Sequence, residues 1–469
     1  MTHLPKNPFP RKRQRRKSPK AVTDPGCLCI TYRDLRDLRP YDANARRHDD
    51  KHVAILARAI DTFGFTVPVM IDQNSEIIAG HGRFEAALKL GMHSIPTVMI
   101  DHLTPAQVRA LRIADNRLAE ISSWDDETLK IELTDLAILD LDGKLEFDLD
   151  VIGFDTAQLD IIITDPALTE NEPEDNVQPD FQMPPVSALG DIWQLGRHRL
   201  MCGSSLDHLV LEQIAEDPVR MVFIDPPYNV PVQGHVRGGE GHREFAMASG
   251  EMSAADFKQF LATAMETTCR PLMPGGIAMV CMDWRHIEEI ISVGKALGLD
   301  LINLCVWNKT NGGMGSLYRS KHELVCVFRK PGEKSVNNVE LGKHGRYRTN
   351  VWDYAGVNTF RLGRAEDLAD HPTIKPTAMV ADAIRDVSHR GDLILDTFGG
   401  SGTTLLAAER TGRRARLVEI DPIYVDLIIR RWQDMTGEDA YLERTEKTFE
   451  QMHEERLATA PKMEQADVR

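Results

Sequence analysis

The sequence predicts an α/β protein in which a doubly wound, mostly parallel sheet follows a smaller α+β domain. Apolar runs alternate with helical patterns over the second half of the chain, and strands separated by helices build parallel sheets. One such run leads into a glycine-rich turn at 399–402, which is typical of ligand-binding folds of this kind. At 469 residues the chain is also too long for one ordinary core, so two or more domains are expected.

The chain starts with a basic segment and a compact unit. Eight of the residues between Lys6 and Lys20 are Lys or Arg and none is acidic, so 1–26 is predicted to be a disordered arm that either contacts phosphates or only aids solubility. Residues 54–65 have helical spacing, two strand-like runs flank the turn at 72–75, and a helical pattern ends at Gly91. These patterns predict a small α+β domain over 27–117.

Composition sets the remaining boundaries. Short amphipathic patterns predict a helical connector at 118–163, and an acidic, proline-rich stretch predicts a linker at 164–185. Strand and helix patterns then alternate over the predicted second domain, 186–445, and 446–469 is predicted to be a charged tail.

The composition excludes several classes of protein. No run approaches the ~18 apolar residues of a membrane span, and the basic start lacks the apolar core of a secretory signal, so a cytoplasmic, nucleoid-associated protein is expected. The seven cysteines lack paired metal-ligand spacing, so reduced thiols and no metal are expected. A formal net charge of -15 argues against a uniformly basic nucleic-acid-binding surface.

The stretch VFIDPPYNV, residues 222–230, marks the first candidate site. Neither proline can donate to a strand ladder, so the apolar run must end there. The carboxyl end of a parallel strand is where open α/β sheets bind ligands. A carboxylate, backbone carbonyls and an aromatic face at that edge suit a flat group that carries an amine, and the residues are Asp225, Pro226, Pro227 and Tyr228.

A second candidate site lies in the stretch 393–422. An apolar run ends in Asp396, a glycine-rich turn leads to a helix that opens at Thr403, and the next run ends in Glu419. The helix opening offers N–H groups to an anion, and an acid after the second strand suits ribose hydroxyls. The turn lacks the lysine of a Walker phosphate loop, so a ligand with a ribose and a compact anion is expected.

Together, DPPY and DTFGGSGTT resemble the motifs of the amino-methyltransferases of DNA. Their order resembles the permuted β class, and HELVCVFRK at 322–330 and HPTIKP at 371–376 are similar to further signatures of that family. The resemblance covers roughly 187–435. It implies a Rossmann-like sheet in the permuted methyltransferase order, S-adenosyl-L-methionine as cofactor and double-stranded DNA as partner.

The resemblance also implies roles for single residues. Asp225 and the carbonyl of Pro226 would accept the protons of the target amine, Pro227 would keep that carbonyl rigid, and Tyr228 would stack on a base flipped out of the helix. Contacts to the cofactor are implied for Asp396, Phe398, Gly400, Gly402, Thr403 and Glu419, with Thr373 and Lys375 closing the pocket around its amino-acid group. Thr397 departs from the family's usual proline, and Ser204 from its usual Gly-Asp.

The N-terminal domain makes a second resemblance, to the ParB/sulfiredoxin-like fold. Its signature is GHGRFEAA at 80–87. Gly80, His81, Gly82 and Arg83 suit a phosphate, of either a nucleotide or a DNA backbone. The alternative is that Arg83 is structural and the domain only docks DNA or dimerises.

The sequence therefore predicts a site-specific DNA methyltransferase, with adenine N6 favoured by Asp at 225. The alternatives are cytosine N4, a glutamine or RNA substrate, and a ParB-like binding protein with a non-catalytic methyltransferase scaffold. A homodimer is expected. The segments 232–250 and 342–364 are Gly-rich, basic and aromatic, so they are candidates for contacting DNA. The segment 308–323, with Asn308, Lys309, Tyr318 and Arg319, is a candidate for lining the DNA side of the pocket. The alternative for each segment is a surface loop with no such role.

Overall fold

The structure, a computed structural model, describes residues 28–141, 144–163, 181, 183–229, 250–309, 317–339, 348–355 and 375–459. Its contacts divide the chain into two compact units. Unit 1 comprises Met1–Asp125 and Phe147–Gly153, and unit 2 comprises Asp126–Glu146 and Phe154–Arg469.

Unit 1 is an α+β fold around a four-stranded sheet of order β1-β4-β2-β3. Its strands are β1 (Ile30–Asp34), β2 (Val69–Ile71), β3 (Ile77–Ala79) and β4 (Ser94–Met99), and its helices are α1 (Asp50–Phe63), α2 (His81–Lys89) and α3 (Pro105–Glu120). Short 3-10 turns occupy Leu35–Asp37 and Leu149–Ile152.

Local sequence explains these elements. The Asp49 side chain accepts the N–H of His52 and so starts α1, while Thr104 and Gln107 form a reciprocal capping box at α3. Helix α3 continues to Glu120, past the domain boundary predicted at residue 117.

Residues 147–153 belong to unit 1 although the chain on both sides belongs to unit 2. Leu149 and Val151 are buried, and the ring of Phe147 contacts that of Phe63 edge-on, with centroids 5.3 Å apart. Arg58 pairs with Asp150 at 2.8 Å. The predicted connector 118–163 is thus divided between the two units.

Unit 2 is built on an eleven-stranded sheet of order β11-β9-β10-β8-β7-β12-β13-β6-β5-β14-β15. Its strands are β5 (Ile192–Leu195), β6 (His198–Cys202), β7 (Val219–Ile224), β8 (Leu272–Met282), β9 (Asp300–Asn308), β10 (His322–Arg329), β11 (Val351–Asp353), β12 (Leu393–Asp396), β13 (Arg414–Glu419), β14 (Tyr441–Leu442) and β15 (Lys447–Thr448). Its helices are α4 (Asp126–Leu141), α5 (Thr156–Ile163), α6 (His208–Ile214), α7 (Ala254–Cys269), α8 (Ile287–Ala296), α9 (Thr377–Val387), α10 (Thr403–Thr411), α11 (Pro422–Thr436) and α12 (Phe449–Thr459).

The centre of this sheet is parallel and covered on both faces. Strands β8, β7, β12, β13 and β6 pair in parallel, and antiparallel strands extend both sides. Along β7, Met221 and Phe223 contact one apolar cluster, whereas Val222 and Ile224 contact another. Burial of alternate side chains on opposite faces is the signature of a doubly wound sheet. The predicted fold class is confirmed.

Helices α4 and α5 fold with unit 2 through a buried ion pair. Both guanidinium Nη atoms of Arg413 donate to the Asp160 carboxylate, at 3.0 and 2.9 Å. Both side chains are buried. The pair joins α5 to the start of β13, and no local sequence pattern predicts this contact.

The fold also continues beyond the predicted boundary at 445. Phe449 and Met452 of α12 are buried, and Phe449 contacts Trp193 with ring centroids 5.5 Å apart. Glu450, Glu454, Glu455 and Arg456 gave this helix the composition of a charged tail. The predicted basic arm and most of the predicted linker lie outside the described residues, and no helix in the described part of the chain is long and apolar enough to cross a membrane.

Candidate active site

Three acids follow neighbouring parallel strands at one edge of the unit 2 sheet. Asp225 follows β7, Asp396 ends β12 and Glu419 ends β13. Because carboxyl ends of parallel strands meet at the same edge, the two sites predicted from separate stretches form one site.

The Asp225 carboxylate is held on both oxygens. Oδ1 accepts the hydroxyl of Tyr228 at 2.5 Å, and Oδ2 accepts the ammonium of Lys375 at 2.5 Å. A carboxylate offers about four lone-pair positions, so two remain for a ligand. The side chain is 27% exposed, which leaves the carboxylate accessible at the edge of the site.

Lys375 connects Asp225 to a second carboxylate, that of Glu323. Its Nζ lies 2.9 Å from Glu323 Oε2, and the other Glu323 oxygen pairs with Lys309. Lys375 and Glu323 are only 5% and 10% exposed. Burial alone would raise the pKa of Glu323, but the ammonium groups of Lys375 and Lys309 lower it to about 2. Burial opposes the charge on Lys375, yet Asp225 and Glu323 raise the pKa of Lys375 above its ordinary value.

The glycine-rich turn between β12 and α10 is shaped by left-handed backbone. Gly400 and Gly402 have φ of 50° and 85°, which favours glycine. A Cβ on Gly402 would lie 2.9 Å from Ile428. Within the turn, the Gly399 N–H donates to the Val418 carbonyl and the Gly402 N–H to the Gly399 carbonyl, and Gly402 leads directly into α10.

Asp396 is buried and Glu419 is half-buried, and both of these acids around the turn accept hydrogen bonds. Asp396 accepts the Thr404 hydroxyl at 2.6 Å and the Phe398 N–H at 3.0 Å. Glu419 accepts the N–H groups of Gly400 at 2.7 Å and Asp421 at 2.9 Å. Burial nevertheless raises the pKa of Asp396 to about 7 and that of Glu419 to about 7.

Two threonines tie the turn to its surroundings. The Thr403 hydroxyl donates to the Lys375 carbonyl at 3.3 Å, which connects the turn to the Asp225 side of the site. Thr397 and Thr268 share a buried hydrogen bond of 2.7 Å between their hydroxyls. This bond accounts for threonine where the resembling family usually has proline.

The structure brings together most of the predicted site residues. Asp225, Tyr228 and Lys375 form the hydrogen-bonded group, Pro226 and Pro227 lie between the first two, and Phe398 contacts Phe260 edge-on with centroids 6.3 Å apart. Ser204, the other departure, accepts the Leu206 N–H in a local turn. Thr373 lies outside the described residues, as do most of 232–250 and 342–364 and part of 308–323.

Lys309 was predicted only as a residue lining the DNA side of the pocket, and its pairing with Glu323 was not predicted. Glu323 was not singled out as a site residue. It stands in HELVCVFRK, where a lone acid opens an apolar strand, and that contrast was the available signal. Among the described residues, no group of three or more His, Cys, Asp or Glu side chains is arranged to hold a metal ion.

The predicted phosphate contact in unit 1 lies at the start of α2. Gly80 has φ of 99° and precedes the helix, and buried His81 accepts the Tyr41 N–H at 3.3 Å. Arg83 donates to the carbonyls of Val67 at 2.6 Å and Pro68 at 3.3 Å. A Cβ on Gly82 would meet Leu56 and His48. Arg83 thus has a structural role here.

Comparison with known protein families identifies three parts of the chain. Residues 219–431 match the DNA methylase family, residues 127–189 the ParB-methyltransferase HTH domain, and residues 30–117 the ParB N-terminal domain. The chain therefore contains a DNA methylase domain of the N6/N4 family and a ParB-like N-terminal domain.

Individual relatives cover different parts of the chain. The type II methyltransferase M.HpaI of Haemophilus parainfluenzae is 24% identical over 268 residues, which are 53% of this chain and 79% of that protein. The ParB-like nuclease domain-containing protein YnaK of Escherichia coli K12 is 50% identical over 80 residues, 17% of this chain and 92% of that protein. A putative DNA modification methylase from Thermus thermophilus, solved with S-adenosyl-L-methionine, is 25% identical and covers 52% of this chain and 96% of its own, with a TM-score of 0.38.

Proposed function

We propose that this protein transfers a methyl group from S-adenosyl-L-methionine to the exocyclic amine of a base flipped out of double-stranded DNA, with adenine N6 as the favoured target. The observation that carries the proposal is the Asp225 carboxylate, fixed by Tyr228 and Lys375 beside the glycine-rich turn. Membership of the N6/N4 family supports the DNA substrate.

The residues around the turn fit the cofactor. Glu419 follows the second strand, where acids take ribose hydroxyls, and each of its oxygens has capacity beyond its one backbone donor. Buried Asp396 is suited to the cofactor's ammonium group, and the N-terminus of α10 to its carboxylate. Phe398, Gly400, Gly402 and Thr403 complete the lining. When bound, the cofactor supplies an electrophilic methyl group on sulfur.

The Asp-Pro-Pro-Tyr segment, residues 225–228, makes the target nitrogen more nucleophilic. An exocyclic amine is a poor nucleophile because its lone pair is delocalised into the ring. Asp225 and the Pro226 carbonyl accept its two protons as hydrogen bonds and favour a tetrahedral nitrogen with a free lone pair, while Pro227 keeps the carbonyl rigid. Positioning of this kind supplies much of an enzyme's acceleration.

Tyr228 holds the base after it leaves the helix. Flipping costs a few kcal/mol of lost pairing and stacking, and stacking on an aromatic ring returns about 1 to 3 kcal/mol. The hydrogen bond from its hydroxyl to Asp225 fixes the ring relative to the carboxylate.

The first experiment incubates the purified protein with radiolabelled S-adenosyl-L-methionine and unmethylated genomic DNA and identifies the labelled nucleoside. Label in N6-methyladenine that disappears with Asp225→Ala supports the full proposal. Label in N4-methylcytosine would keep the chemistry and overturn the choice of base. An active Asp225→Ala variant would contradict the proposed role of residues 225–228.

For unit 1 we propose that the turn Gly80–Gly82 contacts a phosphate, with a nucleotide and the DNA backbone as the two alternatives. The N-terminus of α2 supplies the N–H groups. Equilibrium dialysis with labelled nucleoside triphosphates, with and without DNA, separates these alternatives. Absence of nucleotide binding together with DNA affinity unchanged by Gly80→Ala would contradict the proposal.

A further inference from the structure

Glu323 occupies a position between two lysines that arrive from distant parts of the chain. It is the second residue of β10 and pairs across the ladder with Trp307 of β9. One carboxylate oxygen binds Lys309, just after β9, and the other lies 2.9 Å from Lys375, just before α9. A single carboxylate, on a strand in the sheet, therefore pairs with both lysines.

The Lys375 ammonium has a suitable partner for each of its three N–H groups. Its Nζ lies 2.5 Å from Asp225 Oδ2, 2.9 Å from Glu323 Oε2 and 3.4 Å from the Tyr228 hydroxyl. Lysine otherwise ends in a mobile point charge on a flexible four-carbon stem. Carboxylates on two sides of that charge restrict it to one place, and strand β10 holds one of the carboxylates rigidly.

The four charges of this group balance. Asp225 and Glu323 contribute two negative charges, and Lys309 and Lys375 contribute two positive charges. A neutral residue at 323 would leave two ammonium groups with one carboxylate. Lys375 would then lose the anchor on the side away from Asp225, and the Asp225 side chain would lose the partner that sets its rotamer.

We propose that Glu323 is a positioning residue for methyl transfer, which acts through Lys375 to hold the Asp225 carboxylate in the orientation that receives the target amine. The inference rests on the proposed function. It assigns Glu323 no direct contact with the base or the cofactor.

The test is a double-mutant cycle in the full chain, with initial rates of label transfer to unmethylated genomic DNA. Glu323→Gln is expected to lower kcat by about tenfold to a hundredfold, because small displacements of a positioned group cost rates of this order. KM for the cofactor is expected to stay within about threefold. Lys375→Met is expected to lower kcat at least as much, and the double variant no further, since residues that act as one unit are non-additive.

Two further variants separate positioning from folding. Lys309→Met combined with Glu323→Gln removes one charge of each sign and so preserves the balance, and it is expected to show the same loss in kcat as Glu323→Gln. Exposed Glu333 lies in the turn after β10, and Glu333→Gln is the matched control with an unchanged rate. Thermal denaturation verifies that every variant is folded, and equilibrium dialysis with labelled cofactor measures its affinity separately.

Each outcome either supports or overturns the positioning role of Glu323. A wild-type rate in Glu323→Gln, a wild-type rate in the charge-balanced variant, or losses that multiply in the double variant would overturn the inference while the proposed function stands. If the wild type labels no DNA, the proposed function fails and this inference fails with it.

Discussion

Tyr228 is hydrogen-bonded to Asp225, three residues before it, so one side chain serves two purposes. Its hydroxyl donates to Asp225 at 2.5 Å, while its ring is the group that we propose stacks on the base. Burial and the adjacent carboxylates raise the pKa of Tyr228 above its ordinary value, so the hydroxyl stays a donor across the working pH range. The ring and the hydroxyl are thus separable by mutation.

We predict that Tyr228→Phe lowers activity by about tenfold to a hundredfold, because it removes one hydrogen bond to a charged group worth roughly 1.5 to 3 kcal/mol and keeps the ring. Tyr228→Ala should lose substantially more, since the stacking contribution of about 1 to 3 kcal/mol disappears as well. Initial rates of label transfer to DNA measure both variants. Equal rates for Phe and Ala would show that the ring contributes nothing.

A second prediction concerns the pH dependence of cofactor binding. Burial raises the pKa of both Asp396 and Glu419 to about 7, so both acids lose their protons as the pH rises through that value. The positively charged cofactor favours the ionised forms, and its affinity should therefore increase between about pH 6 and about pH 8. Isothermal titration calorimetry across this range tests it. Asp396→Asn should flatten the profile, and a profile that falls with pH would contradict the assignment.

The same two acids affect stability in the opposite direction. Their folded-state pKa lies above that of the unfolded chain, so their contribution to the free energy of unfolding is largest at low pH. It declines as the pH rises from about 4 to about 7 and then levels. Bound cofactor should offset this decline, so it should raise the melting temperature more at pH 8 than at pH 6.

At the scale of elements, the turn between β12 and α10 depends on backbone that only glycine adopts readily. Gly402 has φ of 85°, and a Cβ there would lie 2.9 Å from Ile428 of α11. Gly437 also has positive φ, 72°, but has open space around it. Both positions require left-handed backbone, but only at Gly402 would a Cβ come close to another side chain.

We predict that Gly402→Ala lowers cofactor affinity by at least tenfold, because the turn must shift away from α11 and carry its N–H groups with it. Gly437→Ala should cost only the strain of left-handed backbone, about 1 to 2 kcal/mol of stability, and leave cofactor affinity unchanged. Equilibrium dialysis and thermal denaturation distinguish the two effects. Wild-type affinity in Gly402→Ala would show that the turn does not form the pocket.

Sequence reasoning reached the elements whose signals are local. The end of β7 at the prolines, the turn at 399–402 and the acid ending β13 were all predicted from short stretches, because proline, glycine and strand-terminal acids act on their own neighbourhood. The link from Lys375 to Asp225 spans 150 positions in the chain. Only the order of strands in the sheet brings such residues together, so the chain of ion pairs from Lys309 through Glu323 and Lys375 to Asp225 could not be predicted beforehand.

At the scale of the molecule, a buried ion pair joins a segment before the predicted domain boundary to unit 2. Asp160 in α5 binds Arg413 before β13 through two hydrogen bonds. Composition placed the start of the second domain at residue 186, since a linker-like stretch precedes it. The segment 154–163 nevertheless folds with unit 2.

We predict that Asp160→Asn destabilises unit 2 by about 3 to 5 kcal/mol, because it leaves the buried guanidinium of Arg413 without its counter-charge. The melting temperature should fall by on the order of 10 °C. Asp217→Asn is the control, since Asp217 forms a comparable but exposed pair with Arg414 at 2.8 Å, and surface pairs contribute about 1 kcal/mol or less. Equal melting temperatures for both variants would contradict the prediction.

The return of residues 147–153 to unit 1 restricts how the gene can be recombined. The chain passes between the units at three places, near residues 125, 146 and 153. A crossover at the first of these would give a new N-terminal unit but keep the old Leu149 and Val151, whose apolar side chains would have to fit a foreign surface. Viable exchange of the ParB-like part therefore requires a crossover beyond Gly153, so helix α4 is inherited together with unit 1 although it folds with unit 2.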